Sequence, residues 1–323
     1  MKNKVLVTGG AGFIGSHLCE ALLDKKYQVT CLDNFFTGKR ENIGHLAAKT
    51  GFQLIKHDAS QPLPAKILEE KWQQIYHLAS PAGPHPTAPK SYINCPIETY
   101  LVNSVGTHQL LKLAKKTQAK FLFASTSEAY GDPKEHPQKE SYWGHVNPIG
   151  PRACYDESKR FGEMATMVWT KKEKVDGRVV RIFNTYGPRM NVADGRAVIL
   201  FIDQALKNKD LTIFGNGRQT RSFCYVDDLV KGLIAAMEKL AAGKVVNLGN
   251  PDEININQLA KTIITATKSK SKIVYQPAVK DDPQRRQPDI GRAKKLLAWQ
   301  PTISLEEGLK KTIAWVARQK QNI

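Results

Sequence analysis

Cysteine is scarce in this chain: five residues in 323, at positions 19, 31, 95, 154 and 224. They are odd in number, widely scattered and never spaced as C-x-x-C, which excludes a disulfide framework and a zinc ribbon and points to a reducing compartment. The eight histidines show no paired spacing of the kind that ligates a metal, so no metal is expected. No apolar run is long enough to span a bilayer, and strand-like sequence begins right after Met1-Lys2-Asn3-Lys4, leaving no room for a signal peptide; a cytoplasmic location without membrane contact is expected. Internal repeats and low-complexity tails are absent. Acidic residues are in deficit, 30 against 48 Lys plus Arg, for a formal charge of +18. The basic residues are spread rather than clustered. Lys268, Lys270 and Lys272, with serines between them, read as a solvated turn, and no nucleic-acid motif accompanies them. An anionic small substrate therefore fits the charge better than DNA, RNA or a lipid surface.

Short β-type runs alternate with longer helical stretches through the first half, which predicts an α/β fold, a Rossmann-type doubly wound parallel sheet covered on both faces. Strands are expected near Lys4 to Thr8, Tyr27 to Leu32, Phe52 to Lys56, Gln74 to Leu78, Lys120 to Ala124 and Val179 to Phe183. The residues just past them are mostly small or polar, as a ligand-lined rim requires: Gly9, Asp33, Asn34, Asp58, Ala59, Ala79, Ser80, Ser125 and Asn184. Pro81, Pro84, Pro86 and Pro89 forbid regular structure and mark a loop over that rim, a lid or a crossover. A helix from about Ile97 to Thr117 follows, with Leu101, Val105, Leu110 and Leu113 on a core-facing stripe. Beyond Gly187 short strands and helices mix, which suggests a smaller, interwoven C-terminal substrate domain. The division expected is 1–185 with 221–250 for a dinucleotide-binding domain, and 186–220 with 251–323 for a substrate domain.

The stretch Val5-Leu6-Val7-Thr8-Gly9-Gly10-Ala11-Gly12-Phe13-Ile14-Gly15 joins an apolar strand, a glycine turn and the first turn of a helix. Gly10, Gly12 and Gly15 satisfy G-x-G-x-x-G, in which glycines allow a tight turn and close backbone approach to a pyrophosphate, while the helix N-terminus faces the phosphates. Asp33 follows about twenty residues later, at the end of the next strand. Its carboxylate can accept from the adenosine ribose hydroxyls and would repel a 2′-phosphate, so NAD is favoured over NADP even with Lys39 and Arg40 close behind.

Tyr155-Asp156-Glu157-Ser158-Lys159 sets a tyrosine and a lysine four residues apart, on one face if the segment is helical. The Lys159 ammonium and an oxidised nicotinamide both favour a phenolate on Tyr155, making it a base for alcohol dehydrogenation. Ser125-Thr126-Ser127-Glu128 brings hydroxyls and one carboxylate to the same rim.

With these motifs the chain resembles, over nearly its full length, the extended short-chain dehydrogenase/reductase enzymes that modify nucleotide sugars, and most closely the UDP-glucuronate decarboxylases. The matching segments include Asp33-Asn34-Phe35-Phe36-Thr37-Gly38, His77-Leu78-Ala79-Ser80-Pro81, Ser125 to Asp132, Gly150 to Tyr155, Arg181 to Met190 and Gln284 to Ile290. The resemblance implies NAD-dependent decarboxylation of UDP-glucuronate to UDP-xylose through a 4-keto intermediate, with NAD regenerated in each cycle. It also implies a homodimer packed through the helices near Ile97 to Thr117 and Tyr155 to Thr170. Residue by residue, it assigns catalysis to Thr126, Glu128, Tyr155, Lys159 and Arg286. Cofactor contacts fall on Gly9, Gly12, Phe13, Ile14, Gly15, Asp33, Asn34, Phe36, Thr37, Gly38, Asp58, Ala59, Leu78, Ala79, Ser80, Tyr155 and Lys159. Substrate contacts fall on Ser127, Asn184, Arg189, Arg196, Arg221 and Arg286. Sister dehydratases carry Asp at the position of Ser127, where they protonate a departing hydroxyl; a decarboxylase has no such leaving group. The loop from Pro81 to Cys95 is longer than the family's, and Leu101 stands where lysine is usual. The alternatives are a UDP-uronate epimerase or nucleotide-sugar dehydratase of the same family, or a non-catalytic NAD-binding sensor.

Overall fold

The structure is a computed structural model in which residues 3–278 and 281–321 are described. In chain order its regular elements begin β1 (Lys4–Thr8), α1 (Phe13–Asp24), β2 (Gln28–Asp33), β3 (Phe52–Lys56), α2 (Ala65–Leu68), β4 (Gln74–His77), α3 (Pro96–Leu101) and α4 (Thr107–Thr117). They continue β5 (Lys120–Thr126), α5 (Ala153–Glu173), β6 (Gly177–Ile182), β7 (Thr185–Tyr186), α6 (Ala197–Leu206), β8 (Leu211–Phe214), β9 (Thr220–Ser222) and β10 (Cys224–Tyr225). The last are α7 (Val226–Lys239), β11 (Val245–Leu248), β12 (Glu253–Asn255), α8 (Ile256–Thr267), β13 (Ile273–Gln276), α9 (Gly291–Leu297) and α10 (Leu305–Gln321).

Seven strands form one parallel sheet in the order β11-β6-β5-β4-β1-β2-β3. Strand alternation explains why it is covered on both sides. Val5, Val7, Val29, Cys31, Tyr76, Leu122 and Val180 pack toward α1 and α7, whereas Leu6, Leu32, Ile75, Phe121, Phe123 and Val179 pack toward α4 and α5. Neighbouring residues on a strand point to opposite faces, so near-continuous apolar runs are what a doubly covered sheet demands. The chain runs from β1 outward to β3 and then returns to the other side of β1 at β4, so a crevice opens beyond the carboxyl ends of β1 and β4.

The segment expected as one helix from Ile97 to Thr117 is broken by a π turn at Val102–Gly106. The wider turn shifts the helical register. Leu110 and Leu113 are buried as expected, but Val105 is 41% exposed and Val102 faces the core in its stead. Three hydrogen bonds to residues outside the helix hold the turn. Val102 O meets Nε2 of His77 at 3.2 Å, and Nδ2 of the buried Asn103 donates to Ser80 Oγ at 3.0 Å and Ser158 Oγ at 3.1 Å. Beyond β6 the remaining strands pair two by two: β7 with β10, β9 with β12 and β8 with β13. β11 instead returns to the edge of the main sheet.

Candidate active site

The crevice is a cavity of about 410 Å³ lined by residues from both halves of the chain. At its inner end Gly9 takes φ +74°, and a Cβ there would lie 2.7 Å from the Ala79 nitrogen; only glycine combines that conformation with that approach. A Cβ on Gly15 would collide with the Gly9 carbonyl oxygen, so α1 can dock this closely on the turn only with glycine there. The first N–H groups of α1 thus point into the cavity without helical partners. Gly9, Gly12, Phe13, Ile14 and Gly15 line it, while Gly10 turns toward the Cys31 and Cys19 thiols behind.

Asp33 ends β2 and accepts from the Ala11 N–H at 2.9 Å and the Phe35 N–H at 2.8 Å. Each oxygen keeps a lone pair for a ribose hydroxyl. Burial pushes its carboxyl up, against the two backbone donors. Asn34, Phe36, Thr37, Asp58, Ala59, Leu78, Ala79 and Ser80 line the same end. Gly38 does not: it sits behind Asp33, where a Cβ would lie 2.8 Å from Oδ1. Its part is to leave room for that carboxylate. Arg40 is also drawn aside, its guanidinium 4.7 Å from the Phe35 ring centroid. The cradle that any Cβ would fill and the carboxylate at the end of β2 fit an adenine dinucleotide without a 2′-phosphate.

Tyr155 and Lys159 share one face of α5, as their spacing requires. Lys159 is buried, its Nζ donates to the Ala124 carbonyl at 2.9 Å, and it lies 5.7 Å from the Tyr155 ring centroid. Burial brings its ammonium down to about 7, opposed by Glu163. Burial pushes the Tyr155 phenol well up, the Glu128 carboxylate adds to this, and the Thr126 hydroxyl opposes both. The expected placement of the pair is found; in the protein alone, burial and the Glu128 carboxylate leave the phenol raised rather than lowered.

Thr126 caps a short 3-10 turn, Ser127–Tyr130, by accepting from the Glu128 N–H at 3.2 Å. That turn aims Glu128 at two arginines. Arg152 Nη2 lies 2.5 Å from Oε2 and Arg286 Nη1 lies 3.5 Å from Oε1. Burial opposes the charge on Glu128, but the two guanidinium groups and a bond from the Tyr92 hydroxyl hold its carboxyl at about 2. Asp156 goes the other way: burial and the nearby Glu128 carboxylate push it up to about 8. Arg286 is buried, with Nε and Nη2 lacking any acceptor, two donors available to an anionic ligand. Arg221 is held by Asp282 at 2.9 Å.

Ser127, Asn184, Arg189, Arg196, Arg221 and Arg286 all line the cavity, but not as one cluster. Arg189 is drawn to α1, with Nη2 at 2.5 Å from Glu20 and 3.2 Å from His45. Arg196 pairs with Asp194 at 2.6 Å and faces the Phe13 ring. These two arginines therefore lie beside the glycine-loop helix, whereas Arg221 and Arg286 converge with Arg152 near Glu128. Sequence reasoning missed Arg152, Asp156, Asp282 and Tyr92 as site residues. Arg152 stood inside a matching segment; Tyr92 lay in a loop without periodicity, where only a fold can show what a side chain meets.

A family model described as GDP-mannose 4,6 dehydratase matches residues 6–312. UDP-glucuronic acid decarboxylase 1 of Danio rerio is 50% identical over 321 residues, covering 99% of this chain and 74% of the fish protein. UDP-glucuronic acid decarboxylase 1 of Arabidopsis thaliana is 47% identical over 311 residues, covering 96% of this chain and 69% of the plant protein. Among solved structures, the UDP-glucuronic acid 4-epimerase of Bacillus cereus, in complex with UDP-glucuronic acid and NAD, superposes with a TM-score of 0.87 at 32% identity over 98% of this chain and 99% of that one. The chain therefore belongs to the extended short-chain dehydrogenase/reductase family of nucleotide-sugar enzymes, in which UDP-glucuronic acid decarboxylases match it at about half of the aligned positions.

Proposed function

We propose that this protein is an NAD-dependent carboxy-lyase that converts UDP-glucuronate to UDP-xylose and carbon dioxide. One observation carries the reading. The position before Glu128 is a buried serine, and the Glu128 charge itself is covered by Arg152 and Arg286, so the pocket receives a sugar carboxylate without an opposing one. Arg286 offers its two free donors to that carboxylate, and Arg221 faces the diphosphate. Gly9, Gly12, Gly15 and Asp33 would hold NAD, which when bound would supply the two-electron acceptor for oxidation at the sugar's 4-position and the same electrons for the closing reduction.

As the phenolate that the Lys159 ammonium favours, Tyr155 takes the proton of the 4-hydroxyl, which Thr126 orients, and becomes the phenol. Burial brings the Lys159 ammonium down while Glu163 opposes that loss of charge. The ketone so formed lies β to the carboxylate. Carbon dioxide leaves because the electron pair of the breaking bond passes into the ketone as an enolate. Glu128, ionised throughout, positions the water that returns a proton to that carbon. Tyr155 then returns its proton to the 4-oxygen.

Residues 1–185 and 221–250 are read as the dinucleotide domain, and 186–220 with 251–323 as the substrate domain. A homodimer is supported by an apolar face along α3, the π turn and α5: Ile97, Tyr100, Val105, Phe161, Met164 and Val168 are all exposed, Ile97 to 57%. No helix among the described residues is long and apolar enough to cross a membrane, and all five cysteines are free thiols, which supports a cytoplasmic setting. The test is to incubate the purified protein with UDP-glucuronate and catalytic NAD and resolve the nucleotides by mass. UDP-pentose and carbon dioxide without net NADH are expected. An isomeric UDP-uronate would make it an epimerase, and no turnover a sensor.

A further inference from the structure

Tyr92 lies near the end of the proline-rich loop and is fully buried. Its ring stacks on that of Tyr155, with centroids 4.7 Å apart and 8° between the planes. Its hydroxyl donates to Oε2 of Glu128 at 3.0 Å, the oxygen that Arg152 also holds. The Arg152 guanidinium sits 5.7 Å from the Tyr92 ring centroid, so the ring is wedged between a catalytic phenol and the cation that balances the catalytic carboxylate. The backbone around it is pinned as well: the Cys154 thiol donates to the Tyr92 carbonyl at 3.2 Å, and the Tyr92 N–H donates to Gly83 O at 3.1 Å.

A residue needed only to fill space has no reason to meet both groups with a flat face and a polar tip. The χ2 torsion of a tyrosine is soft, and a parallel neighbour removes that softness. We propose that Tyr92 is a positioning residue for sugar oxidation, its ring fixing the plane of Tyr155 and its hydroxyl fixing the Glu128 carboxylate. The loop thereby belongs to the reaction apparatus. The proposal rests on the reading that Tyr155 takes the 4-hydroxyl proton.

Displacements of about 1 Å in such sites cost up to about a hundredfold in rate, which sets the scale of the test. Single-turnover reduction of bound NAD is followed in the holoenzyme with UDP-glucuronate carrying hydrogen or deuterium at the 4-position. In Tyr92→Leu, reduction slows at least about tenfold, substrate affinity stays within about threefold, and the isotope effect rises toward its full value as transfer limits the rate. Tyr92→Phe keeps the stack and recovers most of the loss, remaining slower than wild type by about threefold for want of the hydroxyl on Glu128. If Tyr92→Leu fails to fold, Tyr92→Met, apolar and of similar length without a ring, takes its place with the same expected loss. Reduction at the wild-type rate in the ringless variant overturns the proposal, and so does a loss wholly in substrate affinity with an unchanged isotope effect. Absence of carbon dioxide from wild type overturns the decarboxylase reading alone, since oxidation precedes that step and is measured separately.

Discussion

Glu128, nearly buried, and the buried Asp156 are neighbouring carboxyls that shift in opposite directions, one held below the usual carboxylate range and the other pushed above it. The difference is the company each keeps: Glu128 faces Arg152 and Arg286, and Asp156 faces Glu128. A carboxyl raised on folding binds its proton more tightly in the folded state, so its contribution to stability falls as pH rises from about 4 toward about 8. Asp156→Asn should remove that slope. Thermal melts at pH 5 and pH 8 are expected to show the variant gaining on wild type as pH rises; an equal difference at both values would mean that Asp156 is ionised throughout. Ser127 allows a sharper test of the substrate's charge. Ser127→Asp would bring two unit charges to about 4 Å, a repulsion of about 4 kcal/mol at an effective dielectric near 20. After relaxation this still leaves more than a tenfold loss of UDP-glucuronate affinity. UDP-glucose, neutral at that carbon, is expected to weaken much less, and equal weakening of both ligands in calorimetric titration would detach Ser127 from the carboxylate.

The strands were legible in sequence because a parallel sheet covered on both faces needs apolar runs, and β1 and β3 begin and end where the sequence places them. The glycine turn, Asp33 and the Tyr155–Lys159 pair were legible because each is a local device with a fixed spacing. The π turn was not, since it answers to His77 and Ser158, contacts that lie far off in sequence. Gly38 is less legible for a related reason: its neighbourhood to Asp33 is clear from spacing, but its place outside the cavity lining is not. The same limit hid Tyr92 and Arg152, whose roles exist only once the loop and α5 meet. At this scale the exposed apolar face of α5 makes a prediction of its own. Val168 is 48% exposed there, and Val168→Glu would bury two charges at a twofold interface. Light scattering should show wild type at twice the 36.0 kDa of one chain and the variant at one chain's mass. A wild-type protein of one chain's mass would remove the dimer.

Across the whole molecule the two proposed domains are stitched together. The Asp228 carboxylate on α7 accepts from the N–H groups of Thr302 and Ile303, each at 2.7 Å, and the Trp299 indole donates to the Asp228 carbonyl at 2.9 Å. β11 lies in the main sheet although the chain has passed through α6 and β8 before reaching it. Calorimetry is therefore expected to show one unfolding transition. NAD at a hundred times its Kd should add about 2.7 kcal/mol and raise Tm by about 4 °C for a chain of this length; two separate transitions would show that the stitching is weak. The π turn at Val102–Gly106 has a consequence for how the molecule tolerates change in chain length. It holds one residue more than a regular turn needs, so deleting a single residue there would mend the helix locally and lose little of its own hydrogen bonding. Because the wide turn itself absorbs the extra residue, the segments on either side would keep their facing, and Pro96 to Leu101 with the preceding loop would leave the ring of Tyr92 on the face of Tyr155. The same deletion within the regular turns of α4 would instead swing one side against the other by about 100° about the helix axis. Two neighbouring one-residue deletions, alike to helix propensity, would thus have opposite consequences for the site.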